Sequence, residues 1–349
     1  DGKCRFGKLS FSDNKIVLTP VFMPVGTYGC IRGISPFEIK NIDYHIILSN
    51  AFHLFFKPGI DVIECYGKLH NFIKWHDVIL TDSGGYQVFS LNKYVSVNYL
   101  GVFNFNKSFS FFLSPNRSID IQKKIGSDII MCFDDCTGYP LLVNDVYSSM
   151  ILSLEWASLC KYYHNYSLNN NAVFGIIHGG IYNELRLLSI NYMRSLDFDG
   201  YSIGGLCVGE EKNDFYLLLC NIVDKLPDLK PRYLMGVGTP IDILNAVKNG
   251  VDMFDCVLPI RNARNGYLFT TYGVVRIKSK KYKYINLPLD RFCSCYSCKN
   301  FTIGYLHHIF KCNDVFSIRL NSIHNLYFYN DLMKKIRISI VKKQFNIFF

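Results

Sequence analysis

No apolar run in the chain approaches the ~18 residues that a membrane-crossing helix needs, and the N-terminal residues are polar, unlike a secretory leader. A soluble, cytoplasmic protein with no membrane partner is therefore expected. A glycine-rich dinucleotide fingerprint behind a first apolar strand is also missing, which argues against an open, doubly wound nucleotide-binding sheet. No internal repeat or low-complexity tract stands out. A disulfide framework is excluded by the cysteines themselves. They number thirteen and most are scattered singly through apolar runs, as Cys132, Cys207 and Cys220 are, which suits a reducing compartment. Acidic residues are the scarcer charge, 28 against 38 lysines and arginines, for a net charge of +10. That balance fits a polyanionic partner such as nucleic acid. It fits equally well the Lys-, Asn-, Ile-, Phe- and Tyr-heavy composition of an AT-rich genome.

What the chain does have is a series of short apolar runs that stop at small or polar residues: 21–26, 46–53, 78–85, 129–136, 173–180, 201–206, 233–238 and 251–256. Uninterrupted apolar runs, unlike alternating ones, mark parallel strands buried on both faces. Helical patterning separates them at 116–126, 145–163, 183–196 and 240–250, the first opening on Asn116 as a cap candidate and closing on Gly126. Repeated strand–helix units with right-handed crossovers predict a (β/α)8 barrel, an α/β fold. Residues 88–114 read as a strand-like excursion, a hairpin over the barrel mouth, and 334–344 as a terminal helix with a solvated lysine-rich face.

In such a barrel the C-terminal strand ends line the active site. Those ends carry Asp82, Asp134, His178, Gly204 and Gly205, Met235 and Gly236, and Asp255. Singly, Asp82 before Ser-Gly-Gly reads as a turn or cap, Asp134 as a strand-end cap and Met235 as core. Carboxylates recurring at successive strand ends beside glycines read instead as a chemical pocket. Asp255 interrupts an otherwise apolar run, and a buried carboxylate needs a partner, a raised pKa or a task.

Near the C-terminus, Cys293, Cys295 and Cys298 place three thiols within six residues. Three thiolates and one imidazole make a closed tetrahedral zinc site, structural because no position stays open to water. Spacing leaves His307, His308 and His324 as candidates for the fourth ligand. Lys278, Lys280, Lys281, Lys283 and Arg291 surround the cluster and suit either phosphate contact or a solvated loop.

Taken together, 19-TPVFMPVGTYG-29, 50-NAFHLFFKPG-59, 81-TDSGGYQVFSL-91, 133-FDDCTGYP-140, 200-GYSIGGLCVGE-210, 231-PRYLMGVGTP-240, 254-FDCVLPIRNARNG-266 and the Cys/His cluster resemble the queuine/archaeosine tRNA-ribosyltransferase family, in particular its bacterial tRNA-guanine transglycosylase branch. The resemblance spans nearly the whole chain. It implies a (β/α)8 barrel with one structural Zn2+ per chain held by Cys293, Cys295, Cys298 and His324. It implies exchange of guanine at the first anticodon position of GUN-anticodon tRNAs (Asp, Asn, His and Tyr type) for the 7-deazaguanine preQ1, in queuosine biosynthesis. Asp255 falls on the family's nucleophile, which forms a covalent aspartyl–ribosyl intermediate, and Asp82 on its general acid/base. Asp134, His178 and Gly205 fall on contacts to the base edge, and Tyr86 and Met235 on the pair that sandwiches its ring. Cys136 and Val208 fall on the positions that shape the pocket for a small aminomethyl group. Arg261 and Arg264 are expected beside the neighbours of the flipped nucleotide.

Two positions depart from the pattern: His178 stands where the family has glutamine, and Ile260 where the bacterial branch has threonine. The resemblance further implies a homodimer. We expect a barrel over residues 1–275, a zinc lobe over 276–324 and a C-terminal helix over 325–349 packing back on the barrel. The rival functions are a non-catalytic RNA-binding or partner subunit on the same scaffold, disfavoured by the presence of both Asp82 and Asp255, and a small-nucleoside hydrolase, disfavoured by the zinc lobe and the basic balance.

Overall fold

In the computed structural model, which describes residues 2–85, 95–106, 109–166 and 170–348, all eight apolar runs become strands of one sheet. They are β1 (Val21–Met23), β2 (Ile46–Asn50), β3 (Val78–Asp82), β4 (Ile129–Met131), β5 (Ala172–Ile177), β6 (Gly200–Ile203), β7 (Arg232–Leu234) and β8 (Met253–Asp255). Every pairing is parallel, in the order β1-β8-β7-β6-β5-β4-β3-β2. A parallel bridge between Val25 and Leu48 joins the two ends, with Gly26 N–H donating to the Leu48 carbonyl at 2.7 Å. The sheet is therefore a (β/α)8 barrel. β2 shows why its sequence reads as continuously apolar: all five residues are buried, because helices cover the outside and side chains fill the inside.

The helices that bear on the site are α1 (Pro36–Asn41), α2 (Pro115–Ile125), α3 (Val143–Tyr166), α4 (Asn183–Ser195), α5 (Lys212–Ile222), α6 (Pro240–Lys248), α7 (Leu258–Arg264) and α8 (Val315–Val341). Several start on the same device, a hydroxyl cap followed by proline. Ser35 and Glu38 form a capping box around Pro36, and Thr239 caps Asp242 N–H behind Pro240. α2 begins likewise at Ser114, not at Asn116 as its sequence suggests. Pro115 has no N–H to lose and a φ suited to the first helical position, so the cap is the residue before it.

The excursion between β3 and α2 is a three-stranded antiparallel sheet, Val95–Asn98, Gly101–Asn106 and Phe109–Leu113, rather than a single hairpin. Phe111 packs on Phe52 and Phe56, with ring centroids 5.4 and 5.2 Å apart. At the opposite end of the barrel, Lys15 and His70 both close on Asp128, just ahead of β4, at 2.8 and 3.0 Å.

After α7 come a hairpin (Tyr267–Thr270 and Gly273–Arg276) and two short helices (Tyr296–Asn300 and Ile303–Lys311). α8 then runs back along the barrel. Its Leu326 carbonyl accepts from the Tyr44 hydroxyl at 2.9 Å, its Asn330 amide donates to Ile42 at 2.6 Å, and Arg337 donates to the Pro20 carbonyl at 2.7 Å. Among the described residues no helix is long and apolar enough to cross a membrane.

Candidate active site

A cavity of about 470 Å³ opens at the C-terminal end of the barrel, within the range of small-ligand sites. Its lining joins Asp82, Asp134, Cys136, Gly205, Val208, Met235 and Asp255, residues far apart in the chain. His178 lies behind this wall, buried, with Nε2 2.9 Å from Asp134 Oδ2. Tyr86 lies outside the described residues. Arg261 and Arg264 sit on α7, immediately beyond β8; Arg261 is exposed, and the Nε of half-buried Arg264 is enclosed without a hydrogen-bond partner.

The two strand-end carboxylates occupy different environments. Asp255 Oδ1 accepts from the Tyr233 hydroxyl and from Gly236 N–H, both at 2.7 Å. Enclosure raises its pKa above the ordinary carboxylate value, and these two donors oppose the rise. Asp82 Oδ1 is buried with no hydrogen-bond partner. Enclosure pushes the Asp82 carboxyl well above the usual range, the charges of Asp255 and Asp134 push it further, and only the Asn50 amide on the neighbouring strand opposes. Donors stabilise the anion and unrelieved burial stabilises the acid, so the pair is set up with Asp255 as the better carboxylate and Asp82 as the proton holder. That division is what displacement at a sugar carbon requires: an anion to attack and an acid to protonate the leaving group.

The neighbouring thiols do not compete as nucleophiles. Burial, the first cause in each case, pushes Cys207 up to about 12 and Cys256 up to about 11. Both stay protonated near neutral pH.

Asp134 is held by Ser83, whose hydroxyl donates to Oδ1 at 3.1 Å, and by His178 on Oδ2. Gly85 makes room for it: a Cβ there would stand 2.3 Å from the Asp134 carbonyl oxygen and 2.5 Å from Oδ1. Sequence reasoning missed Tyr233, Asn50 and Gly85. Tyr233 had a usable signal, since it precedes Met235 by two positions in an extended run and so shares its inward face. Asn50 sits at a strand end as Asp82 does, but its amide reads as the cap it also provides, accepting from His53 N–H at 3.0 Å.

Toward the C-terminus, the Sγ atoms of Cys293, Cys295 and Cys298 lie 3.6, 3.6 and 3.3 Å from His324 Nδ1. All four ligand atoms fall within 4.8 Å of one another, so the cluster could hold a metal ion. His324 is completely buried on α8, and its Nε2 lies 2.7 Å from the Phe269 carbonyl, the outer hydrogen bond that orients a metal-binding imidazole. The other two candidates are engaged elsewhere: His307 Nδ1 lies 2.7 Å from the Ile277 carbonyl, and His308 Nε2 lies 4.0 Å from Cys312 Sγ. Three thiols and one imidazole fit a closed four-coordinate site.

The family model described as queuine tRNA-ribosyltransferase matches residues 1–349. A queuine tRNA-ribosyltransferase of Buchnera aphidicola subsp. Acyrthosiphon pisum (strain 5A) is 50% identical over 350 residues, covering 100% of this chain and 94% of its own length. One from Francisella tularensis subsp. tularensis (strain WY96-3418) is 50% identical over 351 residues, covering 100% of this chain and 95% of its own. A barrel with paired carboxylates at its strand ends, a Cys3His cluster beside it and similarity along the full length agree on one conclusion: the chain belongs to the queuine tRNA-ribosyltransferase family.

Proposed function

We propose that the protein exchanges guanine at the first anticodon position of GUN-anticodon tRNAs for preQ1, as a step of queuosine biosynthesis. The observation that carries this reading is the unequal carboxylate pair, Asp255 with two donors and Asp82 with a buried oxygen that has none, facing one base-sized cavity.

In the first half-reaction the target nucleotide is flipped into the cavity and Asp255 attacks its C1′. The glycosidic bond breaks, its electron pair leaves with guanine, and Asp82 supplies the proton that guanine takes up. The product is an aspartyl–ribosyl ester. In the second, Asp82, now a carboxylate, removes a proton from the incoming base, whose nitrogen attacks C1′ and releases Asp255. Retention of configuration follows from two inversions. Asp134, His178 and Gly205 hold the base edge, with Met235 and Tyr86 on its two faces. Cys136 and Val208 leave space for an aminomethyl group, and Arg261 and Arg264 contact the neighbouring nucleotides.

The Cys293, Cys295, Cys298 and His324 cluster holds a structural zinc ion, one per chain, and takes no part in the chemistry. We divide the chain into a barrel (1–275), a zinc lobe (276–324) and a C-terminal helical segment (325–349), and expect a homodimer.

The test is incorporation of labelled guanine into a tRNA transcript with a GUN anticodon, with and without preQ1. Incorporation that preQ1 blocks supports the reading. Incorporation indifferent to preQ1 removes the substrate assignment, and no incorporation by zinc-loaded protein removes the activity.

A further inference from the structure

Arg186 is a cation with no exposed surface and, among the described residues, no ion pair. It projects from the first turn of α4, and its guanidinium ends on main-chain carbonyls. Nε donates to Gly180 at 2.9 Å, Nη1 to Ile177 and to Gly204 at 2.7 Å each, and Nη2 to Gly205 at 3.3 Å. Burial draws its pKa down to about 9, with Glu210 opposing through space, so it remains charged at neutral pH. A buried charge is costly, and here all of its hydrogen bonds go to neutral carbonyl dipoles, with Glu210 acting only through space.

Those carbonyls lie behind the cavity wall. A peptide bond is planar and trans, so fixing a carbonyl sends the following N–H the opposite way. With the Gly204 and Gly205 carbonyls held on the guanidinium, the N–H groups of Gly205 and Leu206 are turned away from it, on residues 204–206 of the cavity lining. Neither N–H bonds to another backbone or side-chain group among the described residues. The Ile177 carbonyl is gripped by the same guanidinium, and the next N–H, of His178, donates to Ser189 Oγ at 3.3 Å. Ser189 stands three residues after Arg186 on α4, so one helix face holds the peptide entering His178 by both its polar ends. The two anchored segments meet: a Cβ on Gly205 would lie 3.2 Å from His178 Nδ1.

We infer that Arg186 is a positioning residue for base recognition, locking the free N–H groups after β6 and the imidazole after β5 into one wall that reads the carbonyl edge of a purine-like base. Lysine cannot replace it, because a single ammonium cannot span four carbonyls from two chain segments as a planar five-donor fork does. This inference rests on the base-exchange reading above.

The experiment compares zinc-loaded wild type, Arg186→Lys, Arg186→Ala with and without methylguanidinium, and Arg232→Lys. Arg232 is also buried and also bonds carbonyls, those of Gly250 and Leu226, but lies away from the cavity lining. We expect both Arg186 variants to raise the KM for guanine about tenfold or more while the KM for tRNA stays within about twofold. Methylguanidinium should restore part of the loss in Arg186→Ala. Arg232→Lys should lower Tm with neither KM changed. Equal changes in both KM values, no change in either, or failure of both Arg186 variants to fold even with methylguanidinium would overturn the inference. Should wild type exchange no base, the functional reading falls by itself. Equilibrium dialysis of guanine then still tests Arg186: weaker binding by Arg186→Lys supports its role, and equal binding removes it.

Discussion

His178 Nε2 and Asp134 Oδ2 lie 2.9 Å apart at the back of the cavity, both side chains buried. The contact occupies a carboxylate oxygen that base recognition also needs, so an arriving base has to share or replace it. The imidazole reaches the carboxylate from behind the residues that line the cavity. We predict that His178→Ala, which leaves Asp134 with Ser83 alone, raises the KM for guanine about tenfold, the effect of one lost partner at a buried charge. His178→Gln should recover most of it. Steady-state kinetics with guanine as the varied substrate check this, and a KM unchanged in His178→Ala would remove His178 from base recognition.

The carboxylate pair predicts a split between chemistry and covalent capture. Asp255→Ala should yield no tRNA adduct on denaturing gels. Asp82→Asn should slow the first half-reaction by about 10²–10⁴-fold, the usual worth of a positioned acid. A stable adduct in Asp255→Ala would reassign the nucleophile.

The same pair predicts a pH dependence. The folded-state pKa of Asp82 is raised well above its ordinary value, so its favourable contribution to stability is complete at acid pH and is lost as pH rises through the raised pKa. The first half-reaction should fall over that same rise, as the acid loses its proton. Asp82→Asn should therefore be more stable than wild type at neutral pH, by a few degrees in Tm, with a flatter stability–pH profile. Thermal melts of both proteins from acid to neutral pH test the sign.

Gly85→Ala introduces a methyl group 2.3 Å from the Asp134 carbonyl oxygen. The backbone or the carboxylate must move. We expect weaker guanine binding, by about tenfold or more, since base contacts depend on placement to within fractions of an ångström. Binding at the wild-type level would mean that Asp134 does not need its observed position.

The barrel strands were legible because burial on both faces leaves continuous apolar runs, and the strand-end carboxylates because each breaks such a run. Asp82 and Asp255 thus announced themselves. Tyr233 offered only its i, i+2 spacing to Met235, since a tyrosine inside an apolar run looks like core and its hydroxyl partner, Asp255, lies on the next strand. Arg186 was silent: an arginine in an amphipathic helix looks like solvated surface until tertiary packing buries it. Spacing alone left His307, His308 and His324 open, because each sits on a helix at a plausible distance; the family resemblance pointed to His324, and the tertiary distances agree.

Removing one thiol should act on stability, not on chemistry. Cys295→Ser is expected to lose the metal and lower Tm sharply, because a structural zinc site contributes its binding energy directly to folding. Metal analysis should find about one zinc per wild-type chain and none in the variant. A variant with full metal content would place the ion elsewhere.

α8 carries His324 of the metal cluster and, further along, Tyr329, whose hydroxyl donates to the Gly238 carbonyl, and Arg337, which reaches Pro20 across 317 positions of sequence. During synthesis, the flank of the first barrel strand therefore waits for a segment 317 residues further along to leave the ribosome. Until then the nascent barrel exposes the apolar strip that α8 covers. A growing chain of this kind needs shielding against aggregation, and one halted before residue 315 would be a ready target for proteolysis.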